Sequence, residues 1–88
     1  MTVGIYLLVF EGTDAVYVGQ SNNIEKRYKE HNYTLRKGQG SSKLQAAYNT
    51  YGVPMLEILS ICEADALDFK EVFYIKEFNA IDNGFNTA

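Results

Sequence analysis

The sequence predicts a small α/β sandwich, a three-stranded and mainly antiparallel sheet flanked by helices, with elements in the order ββααβα. Three observations carry this reading. Two apolar runs, residues 3–10 and 15–19, flank the turn-forming Glu11-Gly12-Thr13-Asp14, as a β-hairpin requires. Two stretches with helical spacing follow, separated by a polar, glycine-rich segment. A third apolar run and a last amphipathic stretch close the chain.

Each element has a local reason. After the hairpin, Ser21-Asn22-Asn23 offers helix N-caps, and Glu25 places an acid in the first turn. A helix over residues 24–35 follows from Ile24, Tyr28, His31 and Leu35, which recur at i, i+4, i+7 and i+11. Lys37-Gly38-Gln39-Gly40-Ser41 reads as a loop. Ser41 or Ser42 can cap a second helix that runs to Tyr51 and is stopped by Gly52 and Pro54. Residues 55–62 read as the third strand and residues 64–79 as the third helix, with Gly84-Phe85-Asn86 closing the chain. No repeat, linker or low-complexity segment interrupts residues 1–88, which are expected to form one domain.

At 47% hydrophobic and 22% charged residues, the chain has the balance of a folded globular protein, which argues against disorder. No apolar run nears the ~20 residues needed to span a bilayer. Residues 3–10 lack the basic flank and cleavage site of a signal peptide. Cys62, alone, cannot form an intrachain disulfide. Among Leu56, Ile58, Leu59 and Ile61 it reads as a buried, inert thiol in a reducing compartment, and the chain is expected to be cytoplasmic.

The net charge of −3 is unevenly spread. Between positions 26 and 43, Lys26, Arg27, Lys29, Arg36, Lys37 and Lys43 face Glu30 alone, a net of +5; elsewhere Lys70 and Lys76 face ten acids, a net of −8. A basic segment on an acidic domain suggests a local patch for phosphates, although a solvated helix face gives the same pattern. Affinity for nucleic acid should be weak and strongly salt-dependent.

The chemistry-bearing residues fall into a short set. Gly4-Ile5-Tyr6 and Tyr17-Val18-Gly19 place two tyrosines on neighbouring strands. Such a pair is commonly just a cross-strand aromatic contact, but the accompanying glycines let a backbone or ligand approach closely. Arg27 and His31, four apart, share one helix face and suit phosphate binding and hydrogen bonding to a hydroxyl; His31 in line with Tyr28 and Leu35 fits equally well as a core residue. On the third helix, Leu67, Tyr74, Ile75 and Phe78 span about 100° of arc, with Glu71 in its middle. A carboxylate on that face calls for a cation, either a bound divalent metal or a buried arginine. Asn86, after Gly-Phe, is either a site residue or a turn residue. Zinc-cluster, Walker-type and Ser-His-Asp patterns are absent from the sequence.

Together, Gly4-Ile5-Tyr6, Tyr17-Val18-Gly19 with valine for the usual isoleucine, Ile24…Arg27…His31, Glu71 and Gly84-Phe85-Asn86 resemble the GIY-YIG nuclease superfamily. The match spans Gly4 to Asn86. It is most similar to the N-terminal catalytic domain of phage intron-encoded homing endonucleases, which share stretches like Ser41-Ser42-Lys43-Leu44-Gln45 and Gly84-Phe85-Asn86-Thr87-Ala88. The resemblance implies the GIY-YIG fold and metal-dependent cleavage of double-stranded DNA. It implies one Mg²⁺ or Mn²⁺ on Glu71, with water and the scissile phosphate as the other ligands. It further implies Tyr6 as general base, which needs its pKa brought below the usual ~10. Tyr17 and His31 would position the water or Tyr6, Arg27 would bind the phosphate, and Asn86 would support the site.

Two departures from the family pattern stand out. The loop Lys37-Gly38-Gln39-Gly40 lacks the histidine that such endonucleases often carry before the second helix. The chain also ends just after the last motif, so it reads either as an excised catalytic domain, with a separate DNA-targeting domain as partner, or as a compact free-standing member. Two rival readings remain: a binding module without catalysis, and a repair or resolvase-type nuclease that recognises DNA structure.

Overall fold

In the computed structural model, which describes residues 1–87, strand β1 (Gly4–Val9) lies at the centre of a three-stranded sheet. Strands β2 (Val16–Ser21) and β3 (Met55–Ile61) flank it in the order β2-β1-β3, and both pairings are antiparallel. Helices α1 (Ile24–Arg36) and α2 (Ser42–Tyr51) follow the hairpin, and α3 (Leu67–Glu77) follows β3 after a turn of 3₁₀ helix at Ala64–Ala66. The expected order ββααβα is the observed one, and a sheet expected to be mainly antiparallel is wholly so.

The central position of β1 explains its sequence. A strand covered on both faces is apolar at nearly every position, and Ile5, Tyr6, Leu7 and Leu8 are all buried. Tyr6, Leu8 and Phe10 pack under α1 and α2 against Ile24, Leu35, Leu44 and Ala47. Ile5 and Leu7 turn to the other face, where they meet Val16, Val18, Leu67 and Ala80. The sheet therefore carries two cores, one beneath each helical layer. Leu59 falls where the β1–β3 register slips between Ile5 and Tyr6, so the pairing of β3 is locally irregular.

Local chemistry sets the ends of the elements. Asn23 caps α1, its side chain accepting from Lys26 N–H at 3.2 Å. Ser41 holds the N-cap position of α2, but its hydroxyl makes no capping bond. The Gln45 side chain ties the same loop instead, accepting from Gly40 N–H and donating to the Leu35 carbonyl. Gly52 ends α2 with φ of 92°, a left-handed conformation that suits glycine. Cys62 is half-buried at the rim of the lower core rather than enclosed, because β3 is an edge strand. Among the described residues, no helix is long and apolar enough to cross a membrane.

Candidate active site

The site gathers at the outer edge of the hairpin, where β2, α1 and α3 meet. The register places Tyr6 opposite Gly19 and Leu8 opposite Tyr17, so the two tyrosines are diagonal neighbours on the face under α1. Gly19 has a steric reason: a Cβ there would collide with the Tyr6 ring. The glycine thus lets Tyr6 fold across β2 toward the edge. His31 descends from α1 onto the same spot. The rings of Tyr6, Tyr17 and His31 form a triangle with centroid separations of 6.5, 5.9 and 5.4 Å.

The hydroxyl of Tyr6 lies 2.7 Å from His31 Nε2. Both side chains are buried, Tyr6 at 1% exposure and His31 at 6%. Burial, with the Arg27 cation adding to it, pushes the His31 pKa down to about 4. The imidazole is therefore neutral at pH 7, and the tautomer sets whether the Tyr6 hydroxyl donates to Nε2 or Nε2–H donates to the Tyr6 oxygen. Burial likewise pushes Tyr6 above the ordinary range, with Tyr17 adding to the rise and Arg27 opposing it. Tyr17 is raised for the same leading reason, burial. The low pKa expected for Tyr6 is thus not a property of the domain alone. Its surroundings hold the hydroxyl protonated and hydrogen-bonded to a neutral base.

Arg27 lies one turn before His31 and stands in the open, 3.6 Å from the Glu30 carboxylate. Two of the hollows that Arg27 lines bear on the site. One, of about 380 Å³, is lined by Gln20, Ser21, Asn23, Lys26 and Leu67 among others. The other, of about 180 Å³, is lined by Tyr17, His31, Thr34, Gly40 and Ser41 among others. Arg27 lines both, in reach of an anion lying across the site.

Glu71 comes from the opposite helical layer. As its place in the apolar arc indicates, it faces the sheet along with Leu67, Tyr74 and Ile75, but it is half-buried. Its partner within the fold is an amide. Gln20 Nε2 donates to Glu71 Oε1 at 3.3 Å and to Asp68 Oδ1 at 2.8 Å. The sole ion pair among the described residues is Arg27–Glu30, so the structural alternative of a buried arginine on Glu71 is not realised. The Glu71 charge raises Tyr6 and Tyr17 alike, which brings it within electrostatic reach of both.

Asn86 is buried and acts as a staple. Its Oδ1 accepts from Val18 N–H at 2.8 Å, and its Nδ2 donates to the Val18 carbonyl at 2.9 Å. One side chain thereby closes the free edge of β2 between Tyr17 and Gly19, as a further strand would. Lys43 anchors the same C-terminal segment: its Nζ donates to the carbonyls of Ile81 and Asn86. Of the expected phosphate-binding set, Lys43 has its ammonium engaged within the fold. Lys26, Lys29 and Arg36 are exposed along α1, and Lys37 lies 4.9 Å over the Tyr33 ring.

This constellation has a match across the whole chain. The family model described as the GIY-YIG catalytic domain matches residues 2–86. The chain belongs to the GIY-YIG family. Its similarity to intron-associated endonuclease 1 of Enterobacteria phage T4 is 40% identity over 93 aligned residues, covering 100% of this chain and 38% of the relative. Among solved structures, a point mutant of the catalytic domain of intron endonuclease I-TevI matches with a TM-score of 0.92 and 39% identity, covering 100% of this chain and 95% of that one. The catalytic domain of homing endonuclease I-TevI matches with a TM-score of 0.90 and 40% identity, covering 98% of each. The fold is thus that of the GIY-YIG endonuclease catalytic domain.

Within this GIY-YIG domain the structure brings Tyr6, Tyr17, Arg27, His31 and Glu71 to one edge of the sheet, with Asn86 bracing that edge from behind. Sequence reasoning missed Gln20 and Asp68. A signal was present: Val16, Val18 and Gln20 alternate onto one face, so a polar side chain ends an otherwise apolar row beneath α3. Asp68 stands three residues before Glu71, on an adjoining part of the same helix surface.

Proposed function

We propose that this GIY-YIG domain hydrolyses phosphodiester bonds of double-stranded DNA, with Mg²⁺ or Mn²⁺ held by Glu71. The observation that carries the proposal is the Tyr6 hydroxyl, hydrogen-bonded to a neutral His31 beside the open Arg27. The donors fit a hard divalent ion that keeps most of its water. Glu71 offers oxygen ligands, and no group of three or more acidic, histidine or cysteine side chains suited to enclosing a metal occurs among the described residues. When bound, the ion would supply positive charge for the phosphate and the departing oxygen.

The chain's own residues would do the rest. Arg27 would take a non-bridging phosphate oxygen and set the phosphorus above the tyrosines. Tyr6 would accept a proton from the attacking water as its own hydroxyl proton passes to His31 Nε2. The water oxygen then bonds to phosphorus, and the bond from phosphorus to the leaving oxygen breaks. The anionic phosphate itself favours the imidazolium, which offsets the burial that keeps His31 neutral beforehand. Tyr17, edge-on to His31, would hold the ring and the water in line.

Lys26, Lys29, Arg36 and Lys37 would supply the weak, salt-sensitive grip on the flanking strand. The chain spans 38% of the length of the phage T4 relative. With a net charge of −3, we assign choice of the DNA site to a separate targeting domain.

Nicking of supercoiled plasmid at low salt, with Mg²⁺ or with chelator, tests the reading. Metal-dependent nicking is expected, and Tyr6→Phe should slow it at least ~10²-fold, the usual scale of general-base catalysis. Wild-type nicking by Tyr6→Phe removes the base assignment. DNA binding without nicking, even in a fusion to a known DNA-binding domain, leaves the binding-module reading.

A further inference from the structure

The pair of bonds made by Gln20 has no place in the scheme above. Gln20 lies on β2 directly after Gly19 and opposite Ile5, on the sheet face covered by α3. Its one amide nitrogen spends both of its protons on carboxylates, one on Asp68 Oδ1 and one on Glu71 Oε1. Asp68 and Glu71 are three apart on α3, so two negative charges stand side by side at the edge of the site. Like charges so placed swing apart unless something holds them. A neutral double donor holds them without cancelling either charge, which an arginine or lysine at position 20 would do.

We infer that Gln20 is a positioning residue for Glu71: anchored on Asp68, its amide fixes Glu71 Oε1 and leaves Oε2 to face the phosphate site. The inference rests on the reading of Glu71 as the metal-holding carboxylate. A glutamate side chain has three rotatable bonds, and a single-carboxylate site has no second protein ligand to confine it. Fixing one oxygen in advance removes that freedom before the ion arrives, so the gain falls on metal affinity rather than on DNA affinity. The first hollow beside Arg27 is lined by the same Gln20, which places this brace at the wall of the proposed phosphate site.

The test is a Mn²⁺ titration of the ¹⁵N-labelled domain, reading the ion concentration that half-broadens the amide signals around residues 20 and 71. It is run on wild type, Gln20→Leu, Gln20→Met and Glu71→Gln. The spectrum itself reports whether each variant is folded. Both Gln20 variants keep the bulk and remove the donor, and each should need at least fivefold more Mn²⁺. In cleavage by single turnover, their rates should return to within about threefold of wild type at saturating metal, with DNA affinity unchanged. Unaltered Mn²⁺ midpoints in Gln20→Leu and Gln20→Met, beside a lost response in Glu71→Gln, overturn the positioning role alone. An unaltered response in Glu71→Gln overturns both this inference and the metal-holding role of Glu71.

Discussion

Acidification gives the sharpest view of the Tyr6–His31 pair, because His31 is the one histidine of the chain. Its ring is 6% exposed, and burial with the nearby Arg27 charge moves its pKa from 6.5 to about 4. In the folded domain the ring therefore stays neutral throughout the range in which a free histidine gains its proton. Above pH 6.5 both the folded and unfolded chains carry a neutral ring, and His31 adds no pH dependence. As pH falls from 6.5 toward 4, the unfolded chain takes up a proton that the folded one refuses. Stability is lost across that window and levels off below it as far as His31 is concerned. The gap between 6.5 and about 4 is worth at most about 3 kcal/mol, a large part of the stability of a domain this small. Proton NMR of the His31 Cε1–H from pH 8 to 3.5 reads the titration on a single unambiguous signal. The midpoint should lie well below 5.5, and urea unfolding should show the matching loss of stability between pH 6.5 and 4. A midpoint near 6.5 would refute the buried, neutral imidazole and, with it, the proposed passage of the Tyr6 proton to His31 Nε2.

Two further expectations follow from single side chains. Asn86→Ala leaves the N–H and carbonyl of Val18 without their partners, at about 1–3 kcal/mol per buried group. By the usual relation for small domains, Tm should fall by at least ~8 °C in calorimetry; a fall under ~2 °C would mean that the edge of β2 is held otherwise. Lys26→Ala and Lys29→Ala should each lower the slope of log affinity for DNA against log salt by about 1, whereas Lys43→Ala should leave the slope unchanged and lower Tm. Equal slopes for all three variants would break the distinction between the exposed cations of α1 and the engaged ammonium of Lys43.

The elements were largely legible because each rests on short-range signals: the hairpin turn, the Asn23 cap, the glycine after α2. The near-continuous apolar run of β1 also carried information, since it marks a strand covered on both faces. The environment of each polar group was less legible. Glu71 faces the sheet as its position in the helix implies, yet its partner is an amide on β2, 51 residues earlier in the chain. Nothing local to either residue announces that pairing. The same holds for Asn86, whose bidentate bond to Val18 spans 68 residues. Lys43 is a related case: charge along the chain suggested a phosphate contact, and the two backbone carbonyls that the fold delivers to its ammonium were not legible. Tyr6 is the instructive case, because its identity was readable from its tripeptide while its protonation was set by burial, which only the assembled core reveals.

The most direct measurement is single-turnover cleavage of duplex DNA by Glu71→Gln at saturating Mg²⁺, with the domain fused to a DNA-binding module so that occupancy is held constant. The substitution keeps the size and the Gln20-facing oxygen of the side chain and removes its charge. Cleavage should fall at least ~10³-fold with DNA occupancy and Tm unchanged. A rate close to that of the unaltered domain would contradict the account, since Glu71 would then hold nothing the reaction needs.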